Sequence, residues 1–420
     1  MLIIDSKLRQ REKDKSPIKV GLVGFGAMGK GIYNQIFLHT PGMTVTAILN
    51  RSVDHIFQFL QPYSNRELIG EHDFFNLTPA VHSELEIFLK EDFDIIVEAT
   101  GSVDFALNVG KKVIAAGKHL LSFNAELDAT FGPLLKNLAE QAGVIYSGSD
   151  GDQPGVIMNL YRYVKQMGLK PLVCGNIKGL QDRYRTPATQ KNYAKTYGLS
   201  PQMATSFADG TKISFEQSAV ANATGFGVNQ RGMNGFEFKG HIDEAKKFYD
   251  FESLKANGGI VDYLVGTLPA PGVFVYAYSE DPIAHHHLNY YKLGKGPLYS
   301  FYNPYHLCIF DVPTSISRVV DFADQIIVPK NGIYVEVVAM SKTDLKAGDR
   351  IDGIGGFKTY GVCENTAIAR RENLLPMGLA EGAILKRAIP KDQPITVADV
   401  ELKSEDLWCD YELQFSLNFV

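Results

Sequence analysis

Five groups of residues have types and spacings suited to chemistry. Gly24-Phe25-Gly26-Ala27-Met28-Gly29 runs in the order G-x-G-x-x-G. Such a turn suits a dinucleotide: Gly24 permits the tight turn, Gly26 lets backbone approach a pyrophosphate, and Gly29 lets helix and strand pack closely. A helix N-terminus behind it offers N–H groups and a partial positive charge to phosphates. Lys178 and Lys212 lie among small residues that admit a substrate. Hydride transfer to a carbonyl leaves negative charge on oxygen, and a lysine can stabilise that charge and deliver the proton. Asp182, Asp209 and Glu216 are candidates to orient such a lysine or to bind substrate hydroxyls. Arg183 and Arg185 suit a phosphate or carboxylate clamp, and Asp152 is a further candidate substrate contact. Asp150 and Asp152 are also hard oxygen ligands on one loop, of the type magnesium or manganese takes. Turn formation is their competing role.

A second apolar strand, Val45 to Leu49, follows the glycine turn and ends in Asn50-Arg51-Ser52. An acidic residue at that place binds the ribose 2′-hydroxyl of NAD and repels a 2′-phosphate. None is present. Arg51 can pair with a phosphate, and Asn50 and Ser52 can hydrogen-bond one. The expected cofactor is NADP(H), with NAD kept open by Asp54.

These side chains need elements to position them. A strand precedes the glycine turn and a helix, Lys30 to Leu38, follows it. Further on, Asp94 to Gly101 predicts a buried strand, Ala106 to Ala116 a helix, and His119 to Phe123 a strand. Phe131 to Ala142 predicts another helix and Val144 to Tyr146 another strand. Strands alternating with helices imply an α/β fold with a doubly wound parallel sheet of Rossmann type. Ligands bind at the strand C-termini of such sheets. Thr100, Gly101 and Asn124 fall there and are expected beside the nicotinamide half of the cofactor.

The chain divides into a loose polar N-terminal arm (1–16), a nucleotide-binding domain (17–150), a central catalytic and oligomerisation domain (151–312) and a β-rich C-terminal module (313–420). In the centre, Gly148 to Gly155 and Ser206 to Lys212 read as loops, Ile213 to Thr224 as a helix, and Gly272 to Tyr278 as a strand. His285-His286-His287 invites a metal, but adjacent residues of a strand cannot all face one ion, so a solvated loop is expected. Beyond about Val312, Val335 to Ala339 alternates like a strand among charged, turn-rich segments.

At 420 residues, 45% hydrophobic and 21% charged, the composition is that of a globular protein. A net charge of −5 argues against a nucleic-acid binder relying on bulk charge. No apolar run reaches membrane-spanning length, and the N-terminus has no signal-peptide apolar region. Four widely spaced cysteines, Cys174, Cys308, Cys363 and Cys409, form no C-x-x-C, which predicts neither a disulfide framework nor a zinc site and fits a reducing cytoplasm.

The first 150 positions resemble the nucleotide-binding domain of homoserine dehydrogenase, through the glycine turn, Glu98-Ala99-Thr100-Gly101, and the run Ala116 to Asn124. The tail is similar to a SAF domain, through Leu345 to Asp349 and Arg387 to Thr396. With Gly151 to Gly155 and Phe207 to Lys212 between them, the whole resembles the 1-deoxy-D-xylulose 5-phosphate reductoisomerase-like group. The resemblance implies a Rossmann domain, a central α/β catalytic domain, a SAF module and a homo-oligomer. It also implies an NAD(P)H-dependent oxidoreductase of a small polar, phosphorylated, sugar-derived carbonyl, one version being the deoxyxylulose phosphate reaction of isoprenoid biosynthesis. Homoserine dehydrogenases carry Asn-Lys where this chain has Asn124-Ala125, which speaks against that reaction as the alternative. A different class stays open: a non-catalytic nucleotide-bound scaffold whose SAF module binds a glycan or a protein partner.

Overall fold

Short, nearly continuous apolar runs build the first sheet. The computed structural model describes residues 2–64, 78–330 and 332–417, and the chain folds as two units. The first comprises Met1–Asp128, Leu134–Asp152 and Leu307–Val328. Its strands are β1 (Ile18–Val23), β2 (Met43–Leu49), β3 (Ala80–His82), β4 (Ile95–Glu98), β5 (His119–Ser122) and β6 (Tyr146–Gly148). β1 and β4 are buried along almost their whole length, as strands covered by helices on both faces must be. The order is β3-β2-β1-β4-β5-β6, with every pair parallel. This is the Rossmann order, whose direction of winding reverses between β1 and β4. The expected fold class is therefore observed.

Residues 2–13, expected as a loose arm, form a helix, Leu2–Lys13. Leu8 is buried, and Arg11 pairs with Asp321 at 2.7 Å in the same unit. One apolar anchor and one ion pair thus order a segment whose composition reads as polar.

The second unit comprises Ala129–Pro133, Gln153–His306 and Pro329–Val420. Its main sheet holds β7 (Lys170–Lys178), β8 (Phe236–Glu237), β9 (Ile260–Val265), β10 (Gly272–Tyr278) and β11 (Tyr299–Asn303), in the order β11-β10-β7-β9-β8. β7 lies parallel to β9 and antiparallel to β10. Ile177, Leu264, Phe274, Tyr276 and Tyr249 fill the core beside it. The tail is β-rich: β12 (Val335–Ser341) pairs with β13 (Thr359–Asn365), and β14 (Ile384–Leu385) with β15 (Val400–Glu401), both antiparallel.

Two local expectations differ from the structure. Ser206 to Lys212 is not a loop but the junction of helices Pro201–Asp209 and Thr211–Thr224. Ser200 caps the first helix through the Met203 N–H, Pro201 opens it, and Gly210 turns the chain at φ +91. The three histidines lie in a helix, Pro282–Tyr290, capped by Asp281 and likewise opened by proline. A helix, Cys308–Phe322, runs across position 312. Among the described residues no helix is long and apolar enough to cross a membrane.

Candidate functional site

The three motif glycines have different reasons to be glycine. Gly24 lies at φ +92, and a Cβ there would stand 2.9 Å from the Ala99 carbonyl oxygen. A Cβ on Gly29 would come 2.1 Å from the Gly24 carbonyl oxygen. Both are therefore fixed by the fold. Gly26 has φ −79, and a Cβ there would meet nothing within 4 Å among the described residues. The described residues give no reason for a bare backbone at Gly26, whereas an incoming pyrophosphate does. Gly26 is also the N-cap of helix Ala27–His39, with no side chain capping it. Gly26, Ala27 and Met28 are exposed, so the orphan N–H groups of the first turn face solvent.

The neighbouring residues divide between holding this turn and facing outward. Phe25 is buried against Tyr33 and Phe59. Its N–H donates to Asn50 Oδ1 at 3.0 Å, and Asn50 Nδ2 donates to the Ser52 carbonyl at 2.7 Å. Asn50, expected as a phosphate contact, is thus engaged in tying the end of β2 to the glycine turn. Arg51 is exposed and has no hydrogen-bond or ion-pair partner among the described residues.

β4 and β5 bring Thr100, Gly101 and Asn124 to adjacent strand ends, with Glu98 opposite Ser122. Asn124 serves as a helix cap, its Oδ1 accepting from the Leu127 N–H at 3.1 Å. Thr100 donates its N–H to Glu98 Oε1 at 2.7 Å and its hydroxyl to the same oxygen. Glu98 is wholly buried, and burial pushes its carboxyl up to about 6 against the pull of the Thr100 bonds and the Asn124 amide. The folded state therefore holds this proton more tightly than the unfolded chain does. Stability is fullest below the unfolded value near 4.5 and falls as pH rises through about 6. Urea titrations from pH 4.5 to 7.5 should show wild type losing roughly 2 kcal/mol relative to Glu98→Gln. A difference independent of pH would mean that Glu98 does not titrate in this window.

The Asp150–Asp152 loop differs from expectation. Asp150 is buried, its Oδ2 accepts from Arg318 Nη1 at 2.7 Å, and its N–H donates to Ser315. Arg318 also pairs with Asp324. A guanidinium already neutralises the carboxylate offered for magnesium or manganese. Asp152 is half-buried, with Cys308 Sγ 4.0 Å from its Oδ1. Among the described residues no three His, Cys, Asp or Glu side chains gather as a metal site.

In the second unit, β7 and the helix Thr211–Thr224 bring several candidates together. Asn176 is wholly buried on β7. Its Nδ2 donates to Glu216 Oε2 at 2.9 Å and to Gln153 Oε1, and its Oδ1 accepts from Gln217 at 2.8 Å. Lys178 follows two residues later on β7 and so shares a strand face with Asn176. Lys212 is buried one helical turn before Glu216. Lys178, Lys212 and Glu216 therefore sit on the two elements that Asn176 joins.

The remaining candidates are engaged elsewhere in the same unit. Asp209 is buried against Lys342 at 2.8 Å and accepts from the Thr211 N–H, so its cationic partner is Lys342 rather than Lys178 or Lys212. Asp182 pairs with Arg185 at 3.0 Å. Arg183 lies over the Tyr360 ring, 5.7 Å from its centroid.

Several residues were missed. Asn176 and Gln217 carry no motif, Gln153 lies in the Gly151 to Gly155 run without being singled out as a site residue, and nothing local marks Arg318 or Lys342 as partners of distant aspartates. Glu98 did carry a signal: a charged residue closing the apolar run Ile95-Ile96-Val97 is buried only for a reason.

Residues 151–312 match the family model described as "Oxidoreductase DRL, catalytic domain". The matched segment carries Lys178 and Lys212. The chain is also 27% identical over 139 residues to homoserine dehydrogenase of Neisseria gonorrhoeae, which covers 31% of this chain and 28% of that protein. The WlbA dehydrogenase of Bordetella pertussis, solved with NADH and UDP-GlcNAcA, is 18% identical with a TM-score of 0.31, covering 42% of this chain and 47% of that one. A probable dehydrogenase of Thermotoga maritima is 10% identical with a TM-score of 0.42, over 73% and 90% of the two chains.

Proposed function

We propose that this chain is an NADP(H)-dependent oxidoreductase of a small polar, phosphorylated, sugar-derived carbonyl compound. The observation that carries the reading is Gly26, a glycine with open space among the described residues where its side chain would be, at a helix start that none of them caps, on the reversal point of a Rossmann sheet. When bound, the nicotinamide supplies or accepts a hydride. The N–H groups at Gly26 to Met28 hold the pyrophosphate, and Arg51 pairs with the 2′-phosphate. Carbonyl reduction needs a proton at the nascent alkoxide, and Nζ of Lys178 or Lys212 delivers it. Glu216, fixed by Asn176, positions Lys212. Arg183 is the candidate for the substrate phosphate.

Simple hydride transfer is favoured over reductoisomerisation. Skeletal rearrangement calls for a divalent cation bridging two substrate oxygens, and the carboxylate offered for it, Asp150, is bound to Arg318. A homoserine dehydrogenase reaction is disfavoured by Ala125, which stands where that family carries a lysine.

Purified protein with NADPH and a panel of phosphorylated aldoses and ketoses, deoxyxylulose phosphate included, should oxidise the coenzyme with at least one member. Lys178→Ala or Lys212→Ala should lower kcat on that substrate by about 100-fold or more. Full turnover in both variants would remove the lysines from the mechanism. Coenzyme binding with no member reduced would favour the scaffold reading. Arg51→Ala should weaken NADPH binding by roughly tenfold while leaving NADH unchanged, the loss of one exposed charge-assisted contact. Equal effects on the two coenzymes would contradict its assignment to the 2′-phosphate.

A further inference from the structure

In the second unit a cavity of about 340 Å³ is lined by Glu336, Arg370, Asn373, Trp408, Tyr411 and Glu412, among others. Glu336 lies on β12, Arg370 on helix Thr366–Arg371, and the last three on helix Glu405–Leu413. Glu336 is 4% exposed, and its Oε1 has no hydrogen-bond partner among the described residues. Its Oε2 accepts from the Tyr411 hydroxyl. A buried carboxyl oxygen without a partner is costly and calls for a ligand or a proton.

The charges of the other lining groups are already balanced. Arg370 grips both oxygens of Glu412, with Nη2 to Oε2 at 2.9 Å, and its guanidinium stacks 4.3 Å from the Phe415 ring centroid. Glu336 therefore supplies the unbalanced negative charge of the cavity. Beside it stand the Trp408 and Tyr411 rings, with centroids 5.4 Å apart. A carboxylate flanked by aromatic rings is the environment that binds an ammonium group. An anion would meet Glu336 and Glu412.

We propose that this cavity binds a small organic cation of the alkylammonium class, with Glu336 as its counter-ion and Trp408 and Tyr411 as its aromatic wall. Burial pushes the Glu336 carboxyl up to about 7; the Tyr411 hydroxyl and the Arg370 charge pull it down and Glu412 pushes it up. The cation competes with that proton, so it binds better where Glu336 is ionised.

Trp408 is the chain's one tryptophan, so intrinsic tryptophan emission reports on this cavity alone. The full chain is titrated with n-butylammonium, and separately with n-butanol and butyrate as uncharged and anionic counterparts. The expected result is a saturable change with n-butylammonium only, roughly tenfold tighter at pH 8 than at pH 6, following the ionised fraction of Glu336. Glu336→Gln, checked for folding by circular dichroism, should lose it. No saturable change, or an equal one with n-butanol, would overturn the proposal without need of a variant. So would undiminished binding in folded Glu336→Gln.

Discussion

Gly26→Val is expected to fold as the wild type does and to bind NADPH on the order of 100-fold or more weakly. The fold has room for the added Cβ, because φ is −79, Gly26 is exposed and nothing among the described residues lies within 4 Å of that Cβ. The coenzyme does not, because the side chain occupies the space in front of the N–H groups proposed to hold the pyrophosphate. Each hydrogen bond to a charged group contributes about 1.5–3 kcal/mol, and losing two exceeds the roughly 2.7 kcal/mol that separates affinities by 100-fold. Gly29→Ala is the contrasting case. Its Cβ would lie 2.1 Å from the Gly24 carbonyl oxygen, so it should lower the melting temperature itself. Thermal unfolding and NADPH titration of both variants separate the two effects. A Gly26→Val protein that binds NADPH like the wild type would remove the glycine turn from the cofactor site.

The second large effect is expected at Lys342, which is 2% exposed. Its ammonium donates to Asp209 Oδ2 and to the carbonyls of Arg185 and Gly356, each at 2.8 Å. One buried cation thus satisfies the Asp209 carboxylate and fixes two loops, one of them carrying Arg183 and Arg185. Burial pushes the Asp209 carboxyl up, and Lys342 and Thr211 pull it back. Lys342→Met would leave a buried carboxylate and two carbonyls without their donor. Removing one partner of such a pair costs about 3–5 kcal/mol. The double variant with Asp209→Asn should recover part of that loss, because the stranded charge is gone. Urea denaturation measures both, and a loss below about 1 kcal/mol for Lys342→Met would mean the pair does not hold this unit together.

The parts of the fold written in the sequence were those set by local pattern. Buried parallel strands read as apolar runs, and the glycine spacing marked where the sheet reverses. Helix ends were less legible. Ser200-Pro201 and Asp281-Pro282 are start signals, yet the polar and glycine-bearing residues around them suggested loops. Pairings between distant positions left no trace at all. Asp150 read as a metal ligand because Arg318 lies 168 positions away, and Asp209 read as a catalytic partner because Lys342 lies 133 positions on. The candidate site was legible in residue types, with Lys178, Lys212 and Glu216 on adjoining elements. It was not legible in the amides that hold them, since Asn176 and Gln217 look like ordinary residues of a strand and a helix until their partners are known.

The most direct measurement is calorimetric titration of the folded wild-type chain with NADPH and with NADH. Saturable uptake of about one nucleotide per chain, tighter for NADPH, is the predicted result. A flat isotherm for both nucleotides, with protein whose circular dichroism shows it folded, would contradict the account.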